Sequence, residues 1–180
     1  MNTLVIYTSQ TGFTKKYSEW LAERMSGDIL ELKEAQKKTT EFFKSYDAIV
    51  YGGWAMAGKI TKVNWFLGKA SDWKDKKLAV FCVGGSPNDN PDIEVVLHDL
   101  LTDDQRKYIK AFYCQGGFNY DKMKGPSKLA MKIFVSTLKN KKNATEKEKI
   151  MAEMCAQSYD ISDIKYIEPI VDYLEDNLAI

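Results

Sequence analysis

Seven residues near the amino terminus, Thr8-Ser9-Gln10-Thr11-Gly12-Phe13-Thr14, place four hydroxyls and one glycine in a single turn. An apolar run, Leu4-Val5-Ile6-Tyr7, precedes the turn, and Tyr17, Trp20, Leu21, Ala22 and Met25 follow it at helical spacing. The stretch therefore reads as a strand, a hydroxyl-rich turn and the start of a helix. Backbone N–H groups at a helix mouth lack intrahelical acceptors, and the helix dipole adds partial positive charge there. Hydroxyl donors beside such groups suit a phosphate. No lysine or arginine comes before Lys15, so the donors are mostly neutral, which fits a monophosphate better than a triphosphate with its metal. The competing reading is an ordinary N-capped turn in which Thr11 or Thr14 caps the helix.

The elements that must position this turn follow in order. Asp28 to Leu32 alternates apolar and polar residues, as a half-exposed strand near a sheet edge does. Lys33 to Thr39 reads as a charged connection and Phe42-Phe43 as a short helix, before an unbroken apolar strand, Ala48-Ile49-Val50-Tyr51. A glycine-rich turn, Gly52 to Gly58, leads to helical spacing at Ile60, Val63, Phe66 and Leu67. Leu78 to Val83 is the next strand, Gly84 to Pro91 the next turn, and Ile93 to Leu101 the next helix. Ala111 to Cys114 is a last strand closing on Gln115-Gly116-Gly117-Phe118. Strands alternating with helical crossovers imply parallel pairing in a doubly wound sheet, with ligands bound by loops at the carboxyl ends of the strands.

Beyond Phe118, Gly125-Pro126-Ser127 starts a helix carrying Leu129, Ala130, Met131, Ile133, Phe134, Val135 and Leu138. Thr145 and Glu148 have capping-box spacing for a short helix through Met151 and Met154. Ile164, Ile167, Val171, Leu174 and Leu178 form a final helical pattern, with Pro169 near its start.

With 180 residues and 44% hydrophobic content, the chain reads as one domain, 1–180. Twenty-six basic and 25 acidic residues leave +1, so nothing global draws it to nucleic acid. Three widely spaced cysteines, Cys82, Cys114 and Cys155, argue against a disulfide framework and a zinc site, and for a reducing cytoplasm. No apolar run approaches the ~20 residues of a membrane span, which leaves a soluble protein that can still sit on a membrane surface.

Tyr7-Thr8-Ser9-Gln10-Thr11-Gly12-Phe13-Thr14 resembles the FMN phosphate loop of flavodoxins, T/S-x-T-G-x-T after the first strand. Gly53-Trp54-Ala55 is similar to their second FMN loop, where an aromatic covers one ring face. The resemblance implies a flavodoxin-like α/β fold with a five-stranded parallel sheet ordered 2-1-3-4-5, and FMN as cofactor. It implies cofactor contacts from Ser9, Gln10, Thr11, Gly12, Phe13 and Thr14, and from Gly53, Trp54, Ala55, Met56, Ala57 and Gly58. Gly84, Gly85, Ser86, Asn88 and Gly117 complete the implied set. Backbone groups at 54–58 would meet the N5 edge of the flavin, and those at 84–86 its pyrimidine edge.

Gln115 to Tyr120 and the segment behind it look most like the subgroup that includes menaquinone-dependent protoporphyrinogen dehydrogenase, with a helical insertion at about 119–160. Two departures from ordinary flavodoxins stand out: the near-neutral charge, and the absence of an aromatic from Gly84 to Asn90. An open ring face would admit a quinone or a porphyrin-like substrate, with Phe118, Tyr120 and the helix at 127–139 as candidates to line it. Lys122, Lys124, Lys128, Lys132, Lys139, Lys141 and Lys142 make that helix a candidate membrane contact, against the plain reading of a lid with solvated lysines.

In this class the flavin carries the chemistry, and no side chain is identified as an obligatory acid or base or as a metal ligand. His98, within a helix, reads as structural. A plain electron carrier working with a redox partner protein remains open, as does a cofactor-free binding module. Gly53-x-x-x-x-Gly58-Lys59 falls one residue short of a P-loop, with Ile60 in place of the metal-binding Ser or Thr, so a nucleotide hydrolase is a further rival.

Overall fold

The apolar runs pair as parallel strands because each is buried on both faces. The computed structural model describes residues 1–56 and 58–176; Ala57 of the second loop and Leu178 of the last helix lie outside them. Strands β1 (Thr3–Tyr7), β2 (Asp28–Glu31), β3 (Ala48–Met56), β5 (Lys77–Gly84) and β6 (Ile109–Gln115) form the parallel sheet, in the order β2-β1-β3-β5-β6. Counting these five strands in sequence gives 2-1-3-4-5, as expected. A short strand β4 (Lys59–Ile60) pairs antiparallel with β3 alone.

Side chains alternate between two cores. Leu4, Ile6, Ile49, Tyr51, Leu78 and Val80 meet α2 (Leu32–Ala35), α3 (Thr40–Lys44) and α4 (Val63–Ala70) on one face. Val5, Val50, Ala79, Phe81 and Val83 meet α1 (Phe13–Arg24) and α8 (Glu168–Leu174) on the other. Helix α5 (Asp92–Leu100) joins the first face through Leu97 and Leu100. Among the described residues, no helix is long and apolar enough to cross a membrane.

Several boundaries depart from expectation for packing reasons. The charged connection after β2 opens with α2, because Leu32 and Ala35 are buried and pull that turn onto the sheet. The supposed loop from Gly52 to Gly58 is largely strand: β3 continues to Met56 and folds back through Gly58, at φ +73°, into β4. Ile60 is therefore a β4 residue facing the core, and the helix begins at Val63. Leu101 leaves α5 in an extended conformation and is buried. The last helical pattern divides into a 3-10 turn, Ile164–Ile167, and α8, with Pro169 in its first turn, where no N–H is needed.

The chain forms two compact units, residues 1–116 with the segment from Ser162 onward, and Gly117–Ile161. The second holds β7 (Gly117–Phe118), α6 (Gly125–Lys139), α7 (Glu146–Met154) and β8 (Tyr159–Asp160). Strands β7 and β8 pair antiparallel, and Phe118 packs on Tyr159 with ring centroids 5.6 Å apart. The capping box forms: Thr145 N–H donates to Glu148 Oε2 at 2.9 Å, and Glu148 N–H to Thr145 Oγ1 at 3.3 Å.

Two substitutions probe the sheet. A Cβ at Gly52 would lie 2.2 Å from Phe81 Cζ, so Gly52→Ala lowers stability by about 1–3 kcal/mol. Thr3 Oγ1 is buried without a hydrogen-bond partner, so Thr3→Val raises stability by about 1 kcal/mol. Urea unfolding of each variant measures both shifts.

Candidate functional site

The first loop leaves β1 through Thr8, whose N–H donates to the Gly52 carbonyl at 3.0 Å and ties the turn to β3. Gly12 is the N-cap of α1, at φ +104°, a left-handed conformation that favours glycine. Nothing lies within 4 Å of where its Cβ would stand. Ser9 Oγ accepts from Gly12 N–H at 3.2 Å. The competing reading, a cap from Thr11 or Thr14, does not hold: no side chain caps α1. The N–H groups of Phe13, Thr14 and Lys15 thus stand at the helix end with no intrahelical acceptor. Thr14 is buried and Ser9, Gln10, Thr11 and Phe13 half-buried, while Gly12 is exposed. The nearest lysine, Lys15, is exposed and sits 3.5 Å from Glu19, so it adds little to the turn's charge.

Beside this turn, Trp54 is half-buried and aligned with Val83 of β5. Its carbonyl accepts from Thr61 N–H at 3.0 Å and Thr61 Oγ1 at 2.9 Å, so that acceptor is held within the hairpin. A Cβ on Gly53 would meet Ile60 Cγ2 at 2.6 Å and the Thr61 carbonyl at 2.9 Å, so the hairpin itself requires this glycine. Ala55 and Met56 are exposed. Because Lys59 and Ile60 form a strand rather than a helix start, the P-loop reading fails: its phosphate cradle needs a helix directly after the lysine.

Gly84 ends β5, where a Cβ would lie 2.8 Å from Tyr113 Oη and 3.3 Å from Ala55 Cβ. Tyr113 Oη donates to the Ser86 carbonyl at 2.8 Å, and Gly116 N–H to the Gly84 carbonyl at 2.7 Å. A Cβ on Gly116 would come within 3.6 Å of Phe13 Cβ, which brings the end of β6 against the head of α1. The ends of β1, β3, β5 and β6 thus share one rim. Gly117 belongs to the second unit, where a Cβ would lie 2.1 Å from the Tyr159 carbonyl, so its pairing with β8 accounts for the glycine there.

Gln115 holds the rim together. Its Oε1 accepts from Asn88 N–H at 3.1 Å and from Tyr166 Oη at 2.9 Å, and its carbonyl accepts from Tyr17 Oη. Tyr17 Oη accepts in turn from Asp163 N–H at 3.0 Å. Sequence reasoning placed Tyr17 on the apolar face of a helix, and helical spacing carries no signal for a hydroxyl that reaches a loop beyond the sheet.

The remaining reactive groups lie elsewhere. Burial pushes the Cys82 thiol up to about 12 and Cys114 and Cys155 upward as well, which keeps all three as poorly nucleophilic thiols. His98 is exposed on α5 beside Asp99 at 3.3 Å. Among the described residues, no three His, Cys, Asp or Glu side chains converge as a metal site requires.

A family model described as "Flavodoxin domain" matches residues 4–145. The chain is similar to the solved structure of a flavodoxin, WrbA-like protein from Agrobacterium tumefaciens, at 21% identity and TM-score 0.47 over 63% of this chain and 82% of that one. A flavoprotein in complex with FMN from Lactobacillus acidophilus shares 16% identity at TM-score 0.44, over 62% of this chain and 90% of that one. Trp repressor binding protein from Bacillus subtilis shares 14% at TM-score 0.45, over 72% and 94%. With TM-scores below 0.5, none of them bears on what this chain binds. No curated protein matches the sequence.

Tyr17→Phe keeps the ring but strips the donor from the Gln115 carbonyl and the acceptor from Asp163 N–H. It lowers stability by about 1–3 kcal/mol, the cost of leaving partly buried polar groups unpaired, as read by chemical denaturation.

Proposed function

The chain belongs to the flavodoxin domain family, and from that premise we propose that it is an FMN-dependent redox protein whose phosphate-binding element is the turn from Ser9 to Thr14. One observation carries the reading: α1 begins at a glycine with no side-chain cap, so its first N–H groups have no acceptor within the helix and can serve an anion. The residues present fit a phosphate monoester. Gly12 has open space around it, Ser9 steadies the turn, and Thr11 and Thr14 supply hydroxyls without a competing capping role. Neutral donors bind a dianion without the excess of charge that would also attract polyphosphates with magnesium.

Trp54, at the edge of the rim, would flank the ring, and the backbone of Gly84 to Asn88, pinned by Tyr113 and Gln115, would face its pyrimidine side. When bound, FMN supplies one- and two-electron transfer. The protein's own part is to bind, orient and exclude water. Every cysteine is buried and His98 lies exposed on α5, so this reading gives neither residue type a part in the chemistry.

The finer reading is an oxidoreductase of the menaquinone-dependent protoporphyrinogen dehydrogenase kind, acting on a quinone or a tetrapyrrole. What supports it is sequence: the third loop has no aromatic to cover a second ring face. A plain electron carrier serving a redox partner protein is the alternative.

Purified protein titrated with FMN quenches the flavin fluorescence with a one-to-one endpoint. Thr11→Ala with Thr14→Ala weakens binding by about a hundredfold, the loss of two hydrogen bonds to a charged group. Absence of quenching by the unaltered chain would exclude the cofactor and leave a binding module. Oxidation of the reduced FMN form by a quinone, and reduction of the oxidised FMN form by a porphyrinogen, compared with electron transfer to a one-electron haem protein, separates substrate oxidation from carriage.

A further inference from the structure

Helix α6 carries apolar residues on two sides, and only one is used for packing. Val135 is buried and Met131 and Leu138 are half-buried along one side. Along the other, Leu129 is 61% exposed, Ile133 59% and Phe134 41%, with Ala130 exposed between them. Leu129 and Ile133, and Ala130 and Phe134, are each four residues apart, so the four form one continuous stripe on the helix surface. The other large exposed apolar side chains, such as Met56, Val95 and Ile164, lie on separate elements. Single exposed apolar residues are ordinary, whereas a contiguous stripe marks a surface that is covered in use.

Charge identifies what covers it. Residues 122–142 hold seven lysines and no aspartate or glutamate, a local +7 within a chain whose total is +1, so the rest of the chain is net −6. Lys128, Lys132 and Lys139 run along the helix beside the stripe, and Lys132 and Lys139 are exposed. Lys141 is held by Glu148 at 2.6 Å, while Lys122, Lys132 and Lys139 are exposed. Lysine stems can lie along apolar surface while their ammonium groups stay in water. An apolar stripe bordered by cations complements an anionic lipid surface, with acyl chains below and phosphate headgroups level with the ammonium groups. At 15 residues α6 is about 22 Å long, too short to span the ~30 Å hydrocarbon core, so it would lie in the plane of the interface.

We propose that the outward face of α6, centred on Leu129, Ile133 and Phe134, docks this protein on anionic membrane surfaces. The docking is a property of α6 and does not require the flavin. It brings the redox domain to the surface where lipid-soluble electron carriers reside.

The test is co-sedimentation of the full chain, with and without added FMN, with vesicles of phosphatidylcholine alone and of phosphatidylcholine mixed with phosphatidylglycerol. Binding is expected only to the anionic vesicles, to weaken with added salt, and to be the same with and without FMN. Leu129→Ser, Ile133→Ser and Phe134→Ser together lower partitioning about tenfold or more. Lys122→Gln, Lys132→Gln and Lys139→Gln lower it about fivefold per lysine removed near the surface. All six side chains are exposed, and circular dichroism checks that the variants fold. Failure of the unaltered chain to bind anionic vesicles overturns the proposal, as does binding that the serine variant leaves unchanged. So does sedimentation velocity that shows a dimer abolished by the serine variant without vesicle binding, which would make a second copy the occupant. Loss of FMN binding with vesicle binding retained overturns the redox reading alone.

Discussion

The rim at the carboxyl ends of the strands depends on how Gln115 is held. A parallel sheet delivers its loops to one edge, but loops there have no ladder of their own and must be fixed by side chains. Gln115 accepts from a third-loop N–H and from a tyrosine of the 3-10 turn before α8, while its carbonyl takes the hydroxyl of a tyrosine rooted in α1. Elements far apart in sequence thereby share one residue, and the spacing between the turn before α1 and the loop after β5 follows from it. Such preorganisation lets backbone groups bind a ligand without paying to order them at the moment of binding.

Legibility in the sequence divided along a physical line. Strands β1, β3 and β5 were readable because burial on both faces forces unbroken apolar runs, and the doubly wound order followed from crossovers long enough for a helix. The capping box at Thr145 and Glu148 and the proline at 169 were readable because each acts within one turn of chain. The hairpin from Ala55 to Ile60 was not, because glycine and small residues after a strand look the same whether the chain loops or folds back on itself. The choice is made by Ile60, whose side chain reaches the core only if Lys59 and Ile60 pair with β3.

The candidate site shows the same division. A hydroxyl-rich turn before a helix was visible, but whether its hydroxyls cap the helix or stand free of it is decided by the left-handed Gly12, which moves the cap position onto a residue with no side chain. Gly52, Gly53 and Gly116 have steric causes across the sheet, in Phe81, Ile60 and Val83. Short-range rules could suggest glycine as punctuation at these places, and only the neighbouring strands explain why nothing larger fits. The bonds among Tyr17, Gln115, Asn88 and Tyr166 join residues too distant in sequence for any periodicity to reveal.

The two-residue ladder of β7 and β8 brings Gly117 opposite Asp160, so the chain departs and returns at almost the same point. The polypeptide between them, on the order of forty residues, costs only modestly more loop-closure entropy than a tight turn would. The ladder therefore closes the second unit on itself, and α6 and α7 fold within a loop whose two ends are already fixed to each other.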